Sequence, residues 1–164
     1  MIKQELYLWG MCIFKYIPGR IGSFLRGKIY GIKMGNNTYI WDSVHIDAPR
    51  KLTIGVNTSI NRGSILNCWG HVEIGSNVLI GPNVIIYSQN HNYKDSSSLI
   101  SDQGYKREKV IIEDDVWIAA NAIILPGVTL SKGTVIAAGS VVTSSTESYT
   151  VYAGVPAKLI SRRA

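Results

Sequence analysis

Aliphatic side chains recur at every sixth position along most of the chain, interrupted by two insertions of two residues and one of twenty. Three positions after most of them stands Asn, Asp or Gly, residue types that adopt turn conformations at low steric cost. Each six-residue unit therefore predicts a short strand followed by a bend. A helical period of 3.6 cannot keep every sixth residue on one face, so a long α-helix is excluded. The aliphatic positions are Met34, Ile40, Ile46, Ile54, Ile60, Leu66, Ile74, Ile80, Ile86, Ile112, Ile118, Ile124, Leu130, Ile136 and Val142.

Three such units close one triangular coil with the aliphatic side chains inside, so the repeat predicts about five coils over residues 34–147. The repeat is broken by a long excursion at residues 92–111, which are mostly polar. A loop of this length in a compact repeat domain is usually either functional or disordered. We therefore expect an all-β parallel β-helix with a protruding loop, followed by a C-terminal tail over residues 148–164.

Residues 1–33 precede the repeat and carry apolar side chains at helical spacing, which predicts a short helical cap that ends at Pro18-Gly19. Because the terminal repeat of a solenoid must be covered, we expect the apolar stripe of this helix to pack on the first coil. The alternative is an interfacial helix with basic anchors that makes a peripheral contact with anionic lipid at the inner membrane surface. The stripe comprises Leu6, Trp9, Ile13, Phe14 and Ile17.

Charge and composition narrow the class of protein. The 164 residues suit a single domain, and 17 basic against 11 acidic residues give a net charge of +6. The excess lies at the two ends, whereas residues 34–147 carry eight basic against ten acidic side chains. A nucleic-acid-binding protein would more often carry a basic stripe along its folded body, so no nucleic acid is expected as a partner. The apolar run 6–18 is too short for a membrane span and lacks a secretory cleavage site, which predicts a cytoplasmic protein.

The segment 110–160 carries the most specific motif. It contains DDVWIAANAIILPGVTLSKGTVIAAGSVVTSS and ends in YAGVPAKLI. It resembles the C-terminal half of sugar O-acetyltransferases, a subgroup of the hexapeptide-repeat acyltransferases that includes galactoside, maltose and polysaccharide acetyltransferases. The resemblance covers about residues 34–160. It implies a left-handed β-helix, assembly as a homotrimer, acetyl-CoA as co-substrate and no metal.

His91 is the candidate catalytic residue. It is the last residue before the excursion, and in the resembling enzymes a histidine at this place acts as general base. An imidazole with its usual pKa of about 6.5 is largely neutral at pH 7 and can accept a proton from an alcohol. No serine or cysteine nucleophile stands beside it, so direct attack on the thioester is expected. His45 and His71 are expected to be structural or incidental, and Cys68 a packing residue.

The resemblance also implies binding residues. Asn61 matches an asparagine that contacts the acceptor sugar in galactoside-type relatives. Trp117 matches an aromatic position near the pantetheine arm, and the backbone N–H of Ala120 matches the group that meets the thioester oxygen. Ala138 and Thr143 match positions that line the cofactor groove.

Three basic residues are candidates for binding the phosphates of coenzyme A. Lys158 matches a basic residue with this role in the family. Ser144 and Ser161 stand where the family often has basic residues, which puts the ligand of the 3′-phosphate in doubt. Arg162 and Arg163 are expected to compensate, because an arginine fork suits a phosphate group.

The leading prediction is an acetyl-CoA-dependent O-acetyltransferase that acts on a sugar hydroxyl of a cell-surface polysaccharide or its precursor. A streptogramin- or chloramphenicol-type xenobiotic acetyltransferase and an amino-sugar N-acetyltransferase are the alternatives within the same fold. A γ-type carbonic anhydrase would need three histidines on zinc, and the chain lacks the close pair of histidines that those enzymes show. A non-catalytic scaffold subunit is the remaining alternative.

Overall fold

The computed structural model describes residues 2–163, without the side chains of residues 2–4 and 6–8. Two helices, α1 (Ile2–Lys15) and α2 (Gly19–Tyr30), precede a series of short strands. Single 3-10 turns lie at Pro49–Lys51 and Ile100–Asp102. The strands are β1 (Lys33–Met34), β2 (Tyr39–Ile40), β3 (His45–Asp47), β4 (Leu52–Ile54), β5 (Ser59–Ile60), β6 (Ile65–Asn67), β7 (Val72–Ile74), β8 (Leu79–Ile80), β9 (Ile85–Tyr87), β10 (Gln89–His91), β11 (Tyr105–Arg107), β12 (Val110–Ile112), β13 (Trp117–Ile118), β14 (Ile123–Ile124), β15 (Thr129–Leu130), β16 (Val135–Ile136), β17 (Val141–Val142), β18 (Thr150–Gly154) and β19 (Ala157–Arg162).

The strands form three parallel sheets, one on each face of a prism. The first face has the order β1-β4-β7-β12-β15, and the third has β3-β6-β9-β14-β17. The second face runs β2-β5-β8-β13-β16-β18, and β19 adds to it in antiparallel pairing. The predicted all-β parallel β-helix is therefore confirmed. It has five complete coils and a partial sixth, and the residues expected to form a C-terminal tail build the β18–β19 hairpin.

The six-residue repeat produces this prism because its aliphatic side chains fill the interior. All of the predicted inward positions except Met34 are buried, and Met34 packs partly against the same core. Burying one such side chain stabilises the fold by roughly 1.5–3 kcal/mol. At one corner the successive residues Asn37, Asn57 and Asn77 adopt positive φ angles of 54°, 53° and 59°. Their side-chain amides bond to one another at 3.0 and 3.2 Å, which ties neighbouring coils together.

Helix α2 covers the open edge of the first coil. Strand β2 has no strand before it, so the backbone of Ile40 would lack partners on that side. Ile40 N–H donates to Ser23 Oγ at 2.9 Å, and Arg26 donates to the Ile40 carbonyl from Nε and Nη2 at 3.0 and 2.8 Å. Arg26 Nη1 also donates to the carbonyls of Phe14 and Ile17. Burial lowers the pKa of the Arg26 guanidinium from its usual value, and these carbonyls offset that cost.

The apolar stripe predicted for the N-terminal helix is divided between core and solvent. Phe14 packs partly against the core and Ile17 is half-buried, whereas Trp9 and Ile13 are exposed. The side chain of Leu6 lies outside the described part of the structure. Helix α1 does not cap the first coil alone, because α2 supplies the hydrogen bonds to its edge.

The excursion from the repeat is an antiparallel two-stranded arm, which we define as residues 89–107. Strands β10 and β11 pair with Gln89 opposite Arg107 and His91 opposite Tyr105. The chain re-enters the first face at β12, so the excursion begins three residues before the predicted loop 92–111 and ends before its predicted end. Asp95 orders the tip by accepting hydrogen bonds from Ser97 and Ser98, which lower the pKa of its carboxyl group.

Candidate active site

A groove on the second face brings together four of the predicted site residues. Its cavity volume is about 770 Å³. Strands β5, β8, β13 and β16 form its floor, and the residues that follow each strand form its side. We define the groove by its lining residues, which are Ser59, Asn61, Leu79, Ile80, Gly81, Pro82, Trp117, Ala119, Ala120, Val135, Ala137 and Ala138.

Asn61 lines the groove and does not occupy a corner of the repeat. The asparagines of the corners have positive φ angles, but Asn61 does not, in agreement with its position outside the turn register. Its backbone N–H donates to the Ile80 carbonyl at 3.0 Å. Its Oδ1 accepts the N–H of Arg62 at 2.9 Å, and this bond orients the side chain. The Nδ2 group can then donate to a ligand in the groove.

The floor of the groove is apolar. Trp117 pairs in register with Leu79 on one side and Val135 on the other, and both Trp117 and Leu79 are more than half exposed. Ala138 is exposed beside them and adds little bulk. A large apolar ring and a leucine side by side on an open sheet face are typical of a surface that a ligand or another chain covers.

The backbone amide of Ala120 differs from its neighbours in its hydrogen bonding. The neighbouring amides are used within the fold, since Ala119 N–H donates to Ile136 and Asn121 N–H donates to Pro82. No hydrogen bond from the Ala120 amide is formed within residues 2–163. A Cβ atom at Gly81 would lie 2.9 Å from this nitrogen, so glycine at position 81 leaves space around it.

The predicted phosphate ligands differ in their availability. Arg162 forms an ion pair with Glu147 at 2.6 Å, and Arg163 forms one with Asp115 at 3.0 Å and also donates to the Gly133 carbonyl. Lys158 is exposed on β19 and makes no ion pair within the described chain. Thr143 is exposed just after β17 and does not line the groove.

His91 does not lie in the groove of its own chain. It projects from the arm, is exposed, and contacts the ring of Tyr105 with centroids 4.4 Å apart. A single chain therefore places the donor-binding candidates on the second face and the candidate base on the arm. The other two histidines differ from it: His45 Nε2 lies 3.1 Å from Asp47 Oδ1, and His71 occupies a corner with φ 73°.

Trp69 supports the base of the arm and is not among the residues predicted from the sequence. The guanidinium of Arg107 lies 5.5 Å from the centre of the Trp69 ring, and Lys51 Nζ lies 5.6 Å from it. Such cation–π contacts stabilise a pair by roughly 0.5–1 kcal/mol at exposed sites. A Cβ atom at Gly70 would overlap the Ser88 carbonyl, so glycine at position 70 leaves room for the backbone at Ser88, just before the arm. The sequence CWGH at the end of the second coil is the signal that could have indicated this contact.

A second cleft, of about 730 Å³, lies between helix α1 and the third face. Trp69 and Lys51 line it, but none of the predicted site residues does. We therefore place the candidate site at the groove, where the predicted residues converge.

Within residues 2–163, no three His, Cys, Asp or Glu side chains come together as a metal site. In the same part of the chain, none of the helices has the length and apolar character that a membrane span requires.

Comparison with known proteins gives a family match and close relatives. The family model "Bacterial transferase hexapeptide (six repeats)" matches residues 109–144. The chain is 30% identical over 167 residues to the "Putative colanic acid biosynthesis acetyltransferase WcaF" of Escherichia coli strain K12, covering 99% of this chain and 88% of WcaF. It spans only 44% of the length of another curated relative, the "Probable acetyltransferase Rv3034c" of Mycobacterium tuberculosis, with 29% identity over 133 residues and 80% of this chain.

Solved structures show the same fold. A hexapeptide-repeat acetyltransferase from Vibrio cholerae, complexed with acetyl coenzyme A, has a TM-score of 0.85 and 26% identity, covering 98% of this chain and 88% of that one. A galactoside acetyltransferase in complex with coenzyme A has a TM-score of 0.84 and 26% identity, covering 98% of this chain and 79% of that one. The solenoid described above is thus shared along almost its whole length.

Proposed function

The chain belongs to the left-handed β-helical, hexapeptide-repeat acetyltransferases, and from this we propose that it transfers the acetyl group of acetyl-CoA to a hydroxyl of a saccharide. The convergence of Asn61, Trp117, Ala120 and Ala138 in one groove is the observation that carries the proposal. We further propose that His91 is the general base and that the acceptor is a cell-surface polysaccharide or its precursor. The names of WcaF and of the galactoside acetyltransferase support a saccharide acceptor.

The groove suits an extended, narrow arm in which methylene segments alternate with amide groups, as they do in pantetheine. Trp117 and Leu79 offer an apolar floor, and the small side chains of Ala137 and Ala138 leave room along it. The free amide of Ala120 would donate to the thioester oxygen. We propose Lys158 as the principal ligand of a coenzyme A phosphate, because Arg162 and Arg163 are paired with carboxylates in the chain.

The proposed reaction needs no covalent enzyme intermediate. His91 accepts the proton of the acceptor hydroxyl while its oxygen attacks the thioester carbon, and the Ala120 N–H stabilises the oxyanion that forms. The C–S bond then breaks, and the thiolate of coenzyme A takes the proton from His91. General base catalysis typically contributes 10²–10⁴ in rate, and one oxyanion donor about 10²–10³. Cys68 is unsuited as a nucleophile, because burial raises the pKa of its thiol to about 12.

The reaction requires that His91 and the groove meet, which one chain alone does not achieve. We propose that a homotrimer brings the arm of one subunit to the groove of its neighbour. Two exposed features support this: the apolar floor of the groove is uncovered, and the residues of the arm around His91 are in solvent. A cyclic assembly with head-to-tail contacts places one copy of each feature at every interface.

A thiol-release assay with acetyl-CoA and a panel of acceptors tests the proposal. We expect release with oligosaccharide acceptors, and a fall of at least about 100-fold in kcat for His91→Ala. His45→Ala is the matched control, since it removes an exposed histidine of the third face, and it should retain activity. Full activity of His91→Ala would show that the base is wrongly assigned.

The acceptor panel separates the remaining functions. Preference for chloramphenicol or a streptogramin would favour the xenobiotic enzyme, and preference for an amino sugar with N-acetyl product would favour the N-acetyltransferase. Thiol release with none of the three classes would contradict the proposal. Mass spectrometry of surface glycans with and without the gene should show the loss of acetyl groups.

A further inference from the structure

Helices α1 and α2 present large apolar side chains to solvent. Trp9 and Ile13 of α1 are 71% and 65% exposed, and Ile21 and Phe24 of α2 are 74% and 62% exposed. Isolated exposed apolar residues are common on soluble proteins. Four large ones on two helices that pack against each other are more than isolated exposure and need an explanation.

The orientation of α2 is the reverse of that of an ordinary surface helix. Its inward residues include Ser23 and Arg26, which are committed to the backbone of Ile40. Its outward residues Ile21, Phe24 and Lys28 follow the spacing i, i+3, i+7 that keeps side chains on one helix face. A surface helix normally buries its apolar stripe in the core. The apolar side of α2 is therefore available for something outside this chain.

Basic side chains flank the apolar residues. Among the described side chains of this segment, the exposed or half-exposed cations are Lys15, Arg20, Lys28 and Lys33, and the sequence of residues 2–33 holds a single acid, Glu5. Lys28 Nζ lies 5.9 Å from the centre of the Phe24 ring, so charge and apolar surface are directly adjacent. Aromatic and aliphatic residues edged by lysine and arginine are typical of helices that lie in a membrane interface.

We propose that this surface, formed by Trp9, Ile13, Ile21 and Phe24 with the flanking Lys15, Arg20 and Lys28, docks on an anionic lipid bilayer. The positive flank complements anionic headgroups, while the apolar side chains enter the boundary between headgroups and acyl chains. A two-fold pairing with a second copy is less favourable, because it would bring the same cations of both copies together. Helices α1 and α2 have 14 and 12 residues, fewer than the roughly 20 that cross a bilayer, and the contact we propose is a peripheral one.

Co-sedimentation of the full chain with lipid vesicles tests the proposal. We expect binding to vesicles of phosphatidylcholine mixed with phosphatidylglycerol, much weaker binding to pure phosphatidylcholine, and release by salt. Lys28→Ala should reduce the partition coefficient about fivefold, since one basic residue near an anionic surface contributes about that factor. Phe24→Ser should reduce it by about tenfold or more. Leu99→Ser is the matched control, because Leu99 is at least as exposed as Phe24 but lies at the tip of the arm.

The outcomes are distinct from those of the activity assay, because vesicle binding requires no turnover. Equal binding to neutral and anionic vesicles, or equal effects of Phe24→Ser and Leu99→Ser, would overturn the proposal. If vesicles are not bound and Phe24→Ser lowers the mass measured by light scattering, the surface is instead an interface between copies, which also overturns it. Activity on a soluble acceptor should be unchanged in Phe24→Ser.

Discussion

The groove and the arm differ in the support that each gives to the proposed site. The groove is built on four parallel strands whose inward neighbours, including Ile60, Ile80 and Ile118, are almost completely buried. The arm is a single antiparallel pair whose side chains are mostly exposed and whose base is held by Trp69. The difference indicates that the proposed donor site is preorganised by the core, whereas the proposed base, His91, is held only by local contacts and, in our proposal, meets its substrate at a neighbouring subunit.

The largest contrast between the two regions should appear in stability. Ile118→Ala removes a fully buried side chain beneath Trp117 and should lower the free energy of unfolding by about 3 kcal/mol. Leu99→Ala on the arm should change it by less than about 0.5 kcal/mol. Chemical denaturation of both variants checks this. Similar losses of unfolding free energy in the two variants would contradict the difference in packing between the arm and the coils.

For activity, we expect a substitution on the exposed arm to have a large effect. Tyr105→Leu removes the ring that lies against His91 and should lower kcat about tenfold, because the imidazole loses its positioning contact. The KM for acetyl-CoA should change less than kcat, since the lost contact is with the His91 ring and not with the proposed donor-binding residues. Tyr93→Leu, an exposed tyrosine beyond the paired strands, serves as the control and should retain kcat. Equal kcat in both variants would contradict the positioning role.

A smaller effect on activity is expected for Lys158, the proposed ligand of a coenzyme A phosphate. Lys158→Ala should raise the KM for acetyl-CoA about fivefold with little change in kcat, because it removes ground-state and transition-state binding alike. Arg162→Ala should change the KM by less than about twofold, since Arg162 is already paired with Glu147 on the surface. Steady-state kinetics with acetyl-CoA as the varied substrate distinguish them, and a larger effect of Arg162→Ala would reverse the assignment.

The smallest effect on activity is expected for alkylation of the cysteines, because Cys68 is buried. Burial raises the pKa of its thiol to about 12, so the folded chain holds this proton more tightly than the unfolded chain does. Its contribution to stability is complete below the unfolded pKa and is lost as the pH rises through the folded value. At pH 8, iodoacetamide should therefore modify exposed Cys12 and leave Cys68 and the activity intact. Labelling of Cys68, found by peptide mass spectrometry, would contradict its burial.

The coils were predictable from sequence because one steric rule governs them. The aliphatic residue at every sixth position must point into the interior of the prism. The residues at several corners must adopt positive φ angles, as Asn57 does. The groove residues followed from resemblance to a family, and only the structure shows that Asn61 and Ala120 share one surface. Their roles remain predictions.

Two other features could not be read from the repeat. Helix α2 carries Ile21 and Phe24 at helical spacing, but these residues face solvent while Ser23 and Arg26 are buried, so the apolar pattern does not show which face packs on the coil. The paired strands of the arm are polar, and their partner, Trp69, lies a coil earlier in the chain. Contacts of this kind depend on tertiary placement and leave no local pattern.

Subunit mixing tests most directly the claim that the arm of one chain completes the groove of another. His91→Ala would be co-expressed with Ala138→Trp, whose indole fills the groove, and each variant alone should be inactive. In mixed trimers about a quarter of the interfaces join an intact His91 to an intact groove, so about a quarter of the wild-type activity should return. Activity that stays at the level of the separate variants would show that each chain works alone and would contradict the shared site.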